Sequence, residues 1–267
     1  MLLNVIISLN TVQRPCNNVS LNSDCMIFLI RILGINSMQI SHPLIADEVI
    51  SNIPILDNQE PFVDVRQLGG ILIGPSPEID DNQDYTFMRK SVYERLLEAQ
   101  SLLPEGIQFC LYEAYRSLEL QKILFDERYR RVNAQFPAYT HEQLYLEAIR
   151  LVSPITHLDG RINIPPHATG GAIDVYLVDR NGNPLDMGMH PKDWMEDITG
   201  VLSLTQSQVI SSQAQAHRDM MSDVLKRVGF ANYPNEYWHW SYGDRYWAYM
   251  TKHTHAIYGM PKKTKIV

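Results

Sequence analysis

Two residues with the chemistry of metal ligands, His167 and Asp174, flank a pair of glycines in this sequence. From residue 172 onwards apolar and other side chains alternate, which is the period of a strand with two different faces. Asp174 therefore lies inside a predicted apolar strand, where a carboxylate is costly unless a partner offsets its charge. The glycines would let the backbone turn tightly and bring His167 over the start of the strand. The pair could bind one metal ion, or it could form a His–Asp hydrogen bond in a core without a metal.

A second cluster lies further along the chain, where Glu236 and His239 belong to an aromatic segment. In a regular strand, positions three apart face opposite sides. Either the chain bends just before this segment, or Glu236 lies in the preceding loop, and Pro234 favours such an irregularity.

The two clusters together supply the donors of a metal site. His167, Asp174 and His239 provide two imidazoles and one carboxylate, a set with which catalytic zinc keeps its fourth position for water. Glu236 would stand beside that water as the base of a zinc hydrolase. The alternative is an aromatic core strand with an incidental histidine, and the presence of both clusters favours the metal site.

Arg116 follows directly on a predicted buried strand over 107–114. A guanidinium at the end of that strand could stabilise the oxyanion that forms when water attacks a carbonyl. Its alternative role is a salt bridge with Glu113 or Glu119, which would be preferred if Arg116 were considered by itself.

The elements that must position these residues follow from periodicity and capping signals. Ser117 can cap one helix, and Thr140 with Gln143 forms a capping box for another. Helices are predicted over 90–103, 118–135, 140–151 and 207–228. Strands are predicted over 107–114, 172–177 and within 230–242, with a hairpin-type turn at 179–182 and an irregular stretch at 184–199. Short strands mixed with segregated helices predict a single α+β domain. We expect a central, mainly antiparallel sheet flanked by helices, with the zinc site at the sheet.

The composition limits the classes of function. The chain has 267 residues, 45% of them hydrophobic, and a net charge of −7, which argues against a nucleic-acid partner. No apolar run approaches the ~20 residues of a membrane span. The sequence contains no CxxC pattern, so a metal site must be built from His and carboxylate. Cys110, in an apolar run, is predicted to be a small buried hydrophobe.

Residues 1–37 look unlike the rest of the chain and contain no convincing secretory signal. We interpret them as a poorly structured leader or an over-extended start, followed by a catalytic domain over 38–267. An atypical export signal is the alternative. A cytoplasmic location is expected on this interpretation, with a periplasmic one as the alternative.

The three clusters, in this order, resemble the D-alanyl-D-alanine dipeptidase family of zinc peptidases. That family carries an aromatic-Arg motif after a strand, then S-x-H-x-x-G-x-A-x-D, then E-x-x-H. The corresponding segments here are Tyr115-Arg116, the segment 165–174, and Glu236 to His239. Pro165 replaces the Ser of the second motif, and Glu113-Ala114 replaces the Asp-Gly that usually precedes Tyr-Arg in the vancomycin-resistance enzymes, which leaves the dipeptide preference open.

The resemblance implies a role for each matched residue. His167, Asp174 and His239 would bind one Zn²⁺ per chain. Glu236 would act as catalytic base and acid, and Arg116 would stabilise the transition state. Tyr115 and Asp193 would bind the substrate, with Asp193 holding its free amine, because it follows a Met-Gly pair much as a family aspartate does.

The expected function is zinc-dependent hydrolysis of D-Ala-D-Ala, or of a similar small cell-wall dipeptide, by a metal-activated water. One alternative is a D,D- or L,D-carboxypeptidase acting on peptidoglycan stem peptides. Another is a zinc-binding module of the same fold that has lost catalysis, although Glu236 argues against it, because a structural site has no use for a free base. The expected partner is a small dipeptide, and the oligomeric state is not determined by the sequence.

Overall fold

The structure of the chain is a computed structural model that describes residues 42–79 and 82–261. The predicted leader, 1–37, and the predicted domain start at residue 38 lie outside the described residues.

Seven strands and seven α-helices occur in the described ranges. The strands are β1 (Phe62–Asp64), β2 (Leu72–Ile73), β3 (Phe87–Arg89), β4 (Ile107–Glu113), β5 (Ala172–Asp179), β6 (Ala231–Asn232) and β7 (His239–Ser241). The helices are α1 (Glu48–Ser51), α2 (Val65–Leu68), α3 (Lys90–Leu102), α4 (Leu118–Gln135), α5 (His141–Ala148), α6 (Ser212–Arg227) and α7 (Arg245–Met250). Short 3-10 helices cover Asp84–Thr86, Pro166–Thr169 and Pro191–Glu196.

The central sheet has five strands in the order β2-β4-β5-β7-β6. Only the β2–β4 pair is parallel within it, and the other three pairs are antiparallel. β1 and β3 form a separate antiparallel pair. The structure therefore confirms the predicted α+β domain with a mainly antiparallel sheet and flanking helices.

The two faces of the sheet differ in chemistry. On one face, Leu111 of β4 and Val175 of β5 pack with Leu96 of α3 and Leu225 of α6, and all four side chains are fully buried. Burying each such side chain contributes about 1.5–3 kcal/mol. Side chains of a strand alternate between faces, so Asp174 points to the opposite side. The apolar face thus anchors the strand that presents Asp174.

Local signals predicted the helix starts well where a cap stands at the boundary. The Ser117 hydroxyl accepts the backbone N–H of Leu120 at 3.2 Å, and the Thr140 capping box is formed as predicted. The second of these helices ends at Ala148 rather than near residue 151.

The predicted start of α6 at Ser207 is wrong, because the helix begins at Ser212. Ser211 is the residue that caps it, and its hydroxyl accepts the N–H of Ala214 at 3.0 Å. The Ser207 hydroxyl instead donates to the carbonyl of Val201 at 2.7 Å. Ser207 therefore belongs to the loop before the helix.

Two predictions about composition can be checked within the described residues. Cys110 is buried as predicted. In the part of the chain that the structure describes, no helix has both the length and the apolar character needed to cross a bilayer.

Candidate metal centre and active site

His167 is positioned by a short 3-10 helix, Pro166–Thr169, that turns into β5. Gly170 ends this helix with φ at 69°, in the left-handed region that glycine adopts most readily. A Cβ atom at Gly170 would overlap the ring of Phe62. The predicted tight turn is confirmed, and it places His167 over the start of the strand that carries Asp174.

Asp174 and His239 are brought together by strand register. They are direct partners in the antiparallel β5–β7 pair, and directly opposite residues of such a pair point to the same face. Glu113 of β4 is the partner of Asp174 on the other side, after an irregularity in register between Leu111 and Glu113. A row of three polar side chains therefore crosses three neighbouring strands.

Glu236 lies in the turn that precedes β7, which is one of the two geometries that its spacing from His239 allowed. Its N–H donates to the carbonyl of Tyr233 at 2.8 Å, and its carbonyl accepts the N–H of His239 at 3.1 Å. Such turns have a period of about three residues. Glu236 and His239 consequently face the same site, which a regular strand would have prevented.

The three predicted ligand atoms form a tight triangle. His167 Nε2 lies 3.1 Å from His239 Nδ1 and 3.4 Å from Asp174 Oδ1, and His239 Nδ1 lies 3.1 Å from that same oxygen. Tetrahedral zinc with bonds of about 2.0–2.1 Å has ligand–ligand separations of about 3.3 Å. The triangle therefore has the dimensions of one face of a zinc tetrahedron, and the donor types are those of catalytic zinc.

Each imidazole has its outer nitrogen beside a hydrogen-bonding group. His167 Nδ1 lies 2.6 Å from the carbonyl oxygen of Ala114, which can only accept. His239 Nε2 lies 3.3 Å from the hydroxyl of Ser241. A histidine that donates from its outer nitrogen has a lone pair on the inner one, which is the tautomer that binds a metal.

The charges around the triangle also favour a cation. Burial alone would raise the pKa of Asp174, but the adjacent His167 and His239 lower it below its usual range. Burial, followed by the negative charge of Asp174, raises the pKa of Glu236 well above its usual value. His167, Arg116 and Arg128 oppose that rise. Two buried carboxylates that repel each other gain from a divalent ion placed between them.

Arg116 forms the salt bridge that its alternative role required and also faces the site. Its Nε donates to the Glu113 carboxylate at 3.0 Å, its Nη2 donates to the same group, and its Nη1 donates to Gln121 at 3.0 Å. Burial lowers the pKa of Arg116, but Glu113 outweighs this and raises it. Arginine has five N–H donors, so the guanidinium is held rigidly and still presents donors to the cavity.

A small cavity of about 40 Å³ lies at this site. All three predicted metal ligands, Glu236 and Arg116 line it. Sequence reasoning missed several further wall residues, among them Tyr112, Gln121, Trp194 and Trp238.

Tyr115 and Asp193 are not brought to this cavity. Tyr115 packs edge-on against Phe62 with ring centroids 5.6 Å apart. Asp193 belongs to the 3-10 helix Pro191–Glu196, where Trp194 is buried and Asp193 is exposed. Because side chains three apart align along a 3-10 helix, the face that holds Trp194 leaves Asp193 on the solvent side. The substrate roles of Tyr115 and Asp193 stay predictions.

Glu78 is a carboxylate that contacts two residues of the cavity wall, and sequence reasoning did not single it out. It accepts a hydrogen bond from Trp194 Nε1 at 3.1 Å and lies 3.5 Å from the hydroxyl of Tyr112. Burial, followed by the charge of Glu113, raises the pKa of Glu78. Its segment, rich in Gly, Pro and Asp, carries no periodic signal, so only the folded chain shows that Glu78 lies beside two wall residues.

The cavity combines a buried His/Asp/His donor set with a carboxylate and a guanidinium. This combination is typical of metal-dependent hydrolases. Comparison with known proteins makes the chain a peptidase: it belongs to the D-ala-D-ala dipeptidase family, whose model matches residues 78–258. The family resemblance of the three motifs is thereby confirmed.

A curated relative supports this membership. The D-alanyl-D-alanine dipeptidase of Synechocystis sp. (strain ATCC 27184 / PCC 6803 / Kazusa) is 25% identical over an alignment of 233 residues, and the match covers 76% of this chain and 90% of the relative.

Two solved structures are also similar. A variant of the vancomycin-resistance D,D-pentapeptidase VanY in complex with Zn(II) is 16% identical, with a TM-score of 0.40 over 78% of this chain and 96% of that one. The LD-carboxypeptidase LdcB is 18% identical, with a TM-score of 0.31 over 74% and 77%. Both TM-scores lie below 0.5, so neither likeness enters the assignment of the site.

Removing any ligand should abolish metal binding. We expect His167→Ala, Asp174→Ala and His239→Ala each to lose zinc, because two remaining donors do not hold the ion. His141→Ala, at an exposed helix start, is the matched control and should keep about one zinc per chain. Elemental analysis after dialysis measures the content, and full occupancy in the three ligand variants would refute the site.

The two roles of Arg116 can be separated with a double variant. Arg116→Ala alone leaves the buried Glu113 without its partner, which is destabilising, whereas adding Glu113→Gln removes that charge. If Arg116 stabilises an oxyanion, the double variant should fold and still show kcat lowered by about 10²-fold. Steady-state kinetics and thermal unfolding measure both properties. A double variant with near-normal kcat would leave Arg116 with the salt bridge alone.

Proposed function

We propose that this chain is a zinc-dependent dipeptidase that hydrolyses D-Ala-D-Ala or a similar small cell-wall dipeptide. The observation that carries the proposal is the position of Glu236. Its Oε2 lies 3.8 Å from the His239 Nδ1 that would bind the metal, and its carboxylate lines the same cavity. A carboxylate beside the ligands, but outside their triangle, is where a general base is needed.

Zinc held by His167, Asp174 and His239 would lower the pKa of a bound water and polarise the scissile carbonyl. The chain's own part begins with Glu236, which accepts a proton from the attacking water and later gives it to the leaving amine. Its raised pKa suits both roles, since burial makes the carboxylate a stronger base. Burial of this residue, only 7% exposed, also limits exchange with bulk water.

Arg116 supplies fixed positive charge for the oxyanion. Glu113 holds two of its nitrogens and Gln121 a third. Gln121 is itself anchored, since its Nε2 donates to the carbonyl of Ser153 at 2.7 Å. Donors that are already oriented need no reorganisation during the reaction, which is what makes such groups effective.

Recognition of a dipeptide requires a group for its free amine. The family resemblance points to Asp193, whereas the position of Glu78 beside Trp194 and Tyr112 supports that carboxylate instead. An ammonium beside Glu78 would offset the burial that raises its pKa. We propose Glu78 as the second candidate for this role.

Glu236→Gln separates base from ligand. The substitution keeps size but removes the basic carboxylate, so zinc content should stay normal while kcat falls by roughly 10²-fold or more. Glu142→Gln, exposed at the start of α5, is the control and should leave both unchanged. A Glu236→Gln enzyme that works at close to the wild-type rate would remove Glu236 from the mechanism.

Blocking the amine tests substrate length. Free D-Ala-D-Ala should be cleaved, and N-acetyl-D-Ala-D-Ala should be cleaved about 10²-fold less well, because the blocked amine has no charge to pair with the carboxylate that holds it. The residue that holds the amine is the one whose amide variant, Asp193→Asn or Glu78→Gln, loses this discrimination. The ratio of kcat/KM for the two substrates is the measurement. A wild type that prefers the blocked dipeptide or a pentapeptide would favour the carboxypeptidase alternative.

A further inference from the structure

The two metal-binding histidines are anchored by chemically different groups. The carbonyl of Ala114, next to His167 Nδ1, is an acceptor only, so that nitrogen must carry the hydrogen. The hydroxyl of Ser241, next to His239 Nε2, can donate or accept. Ser241 by itself therefore does not decide which nitrogen of His239 carries the hydrogen.

Asp244 lies three residues after Ser241 in the chain, at the start of α7. Its Oδ1 accepts the N–H of Trp247 at 2.9 Å and so caps α7. Its Oδ2 is buried without a hydrogen-bond partner in the described part of the chain. Asp244 is only 1% exposed, so bulk water does not pair this oxygen either. Burial raises the pKa of Asp244, while the side chain of Ser241 and the charge of His239 are among the groups that lower it. A buried acceptor left unpaired in a folded protein calls for a partner.

We propose that Asp244 is a positioning residue that acts through Ser241 to hold His239 in the tautomer whose Nδ1 is free to bind the metal. In this arrangement His239 Nε2–H donates to Ser241 Oγ, and the Ser241 hydroxyl donates to Asp244 Oδ2. Both polar contacts of the serine and the orphaned carboxylate oxygen are then satisfied. The proposal rests on the proposed function only in taking the His167, Asp174 and His239 set as a zinc site.

The opposite orientation of the chain of hydrogen bonds is unfavourable. If Ser241 donated to His239 Nε2, the hydrogen would sit on Nδ1 and point at Asp174 Oδ1, 3.1 Å away. That tautomer competes with the metal for the same lone pair, and it leaves Asp244 Oδ2 buried and unpaired. Asp244 thus disfavours the tautomer that cannot bind zinc.

Two variants test the relay by zinc affinity, without any measurement of hydrolysis. Ser241→Ala removes the relaying hydroxyl. Asp244→Asn keeps an oxygen to cap α7, because Asn is as good an N-cap as Asp, but its amide can donate to Ser241 and reverse the relay. Loss of such groups behind a metal-binding histidine weakens metal binding by about 10–100-fold. We expect that loss in both variants, measured by competition with a chromophoric zinc chelator.

Controls separate positioning from stability. Thr140→Ala removes the capping box of α5 and should lower the melting temperature without changing the zinc dissociation constant. Ser241→Thr keeps the hydroxyl and should bind zinc more tightly than Ser241→Ala. The visible spectrum of the cobalt(II)-substituted protein should change in Asp244→Asn and not in Thr140→Ala.

The outcomes are distinguishable. Zinc dissociation constants within about twofold of wild type in both Ser241→Ala and Asp244→Asn would overturn the relay, since the expected loss is at least tenfold. A wild type that binds zinc but does not cleave dipeptides would overturn the proposed function and leave the relay supported by its own affinities. A wild type that binds no zinc would overturn both.

Discussion

The burial of Asp174 is the constraint on which the rest of the site depends. This carboxylate is 3% exposed and stands in the middle of the central sheet, where an isolated charge would be strongly unfavourable. Its partners come from three directions: His239 directly opposite on β7, Glu113 opposite on β4, and His167 from the turn before its own strand. A second carboxylate in that row is tolerated because Arg116 binds it. The polar centre is thus a set of groups that are stable in the interior only together.

Backbone irregularities put this set in place. The register shift before Glu113 re-aims β4, since without it Tyr112 and Glu113 would face opposite sides of the sheet. With the shift, both side chains serve the site: Tyr112 lines the cavity, and Glu113 binds the guanidinium of Arg116, which also lines it. The turn before β7 is a second irregularity, and it lets Glu236 face the same site as His239 of that strand. Regular strands supply the rigid frame, and the site is built where they depart from regularity.

The apolar face of the sheet makes this arrangement durable. β5 contributes Val175 to the core between sheet and helices and Asp174 to the opposite side. A ligand that moves by a fraction of an ångström loses metal affinity and rate. Anchoring the same strand by fully buried side chains on its other face limits such movement. Stability and chemistry are therefore divided between the two faces of one strand.

The amino-acid sequence by itself determined the features that depend on neighbouring residues. The caps at Ser117 and Thr140 predicted helix starts, and the glycines after His167 predicted the tight turn. The types and spacing of the clustered polar residues predicted the donor set, and the family match confirmed the class of protein. These predictions were possible because capping, turn formation and strand alternation are decided within a few residues of the chain.

Tertiary structure alone decided which side of an element is buried and which distant segments of the chain come into contact. Trp194 rather than Asp193 is buried, because tertiary packing determines which side of a 3-10 helix lies inward. Glu78 accepts a hydrogen bond from Trp194, a residue of the cavity wall more than a hundred residues away in the chain. Contacts between remote segments leave no period in a sequence, because their geometry is set by how whole elements pack and not by the spacing of residues along the chain.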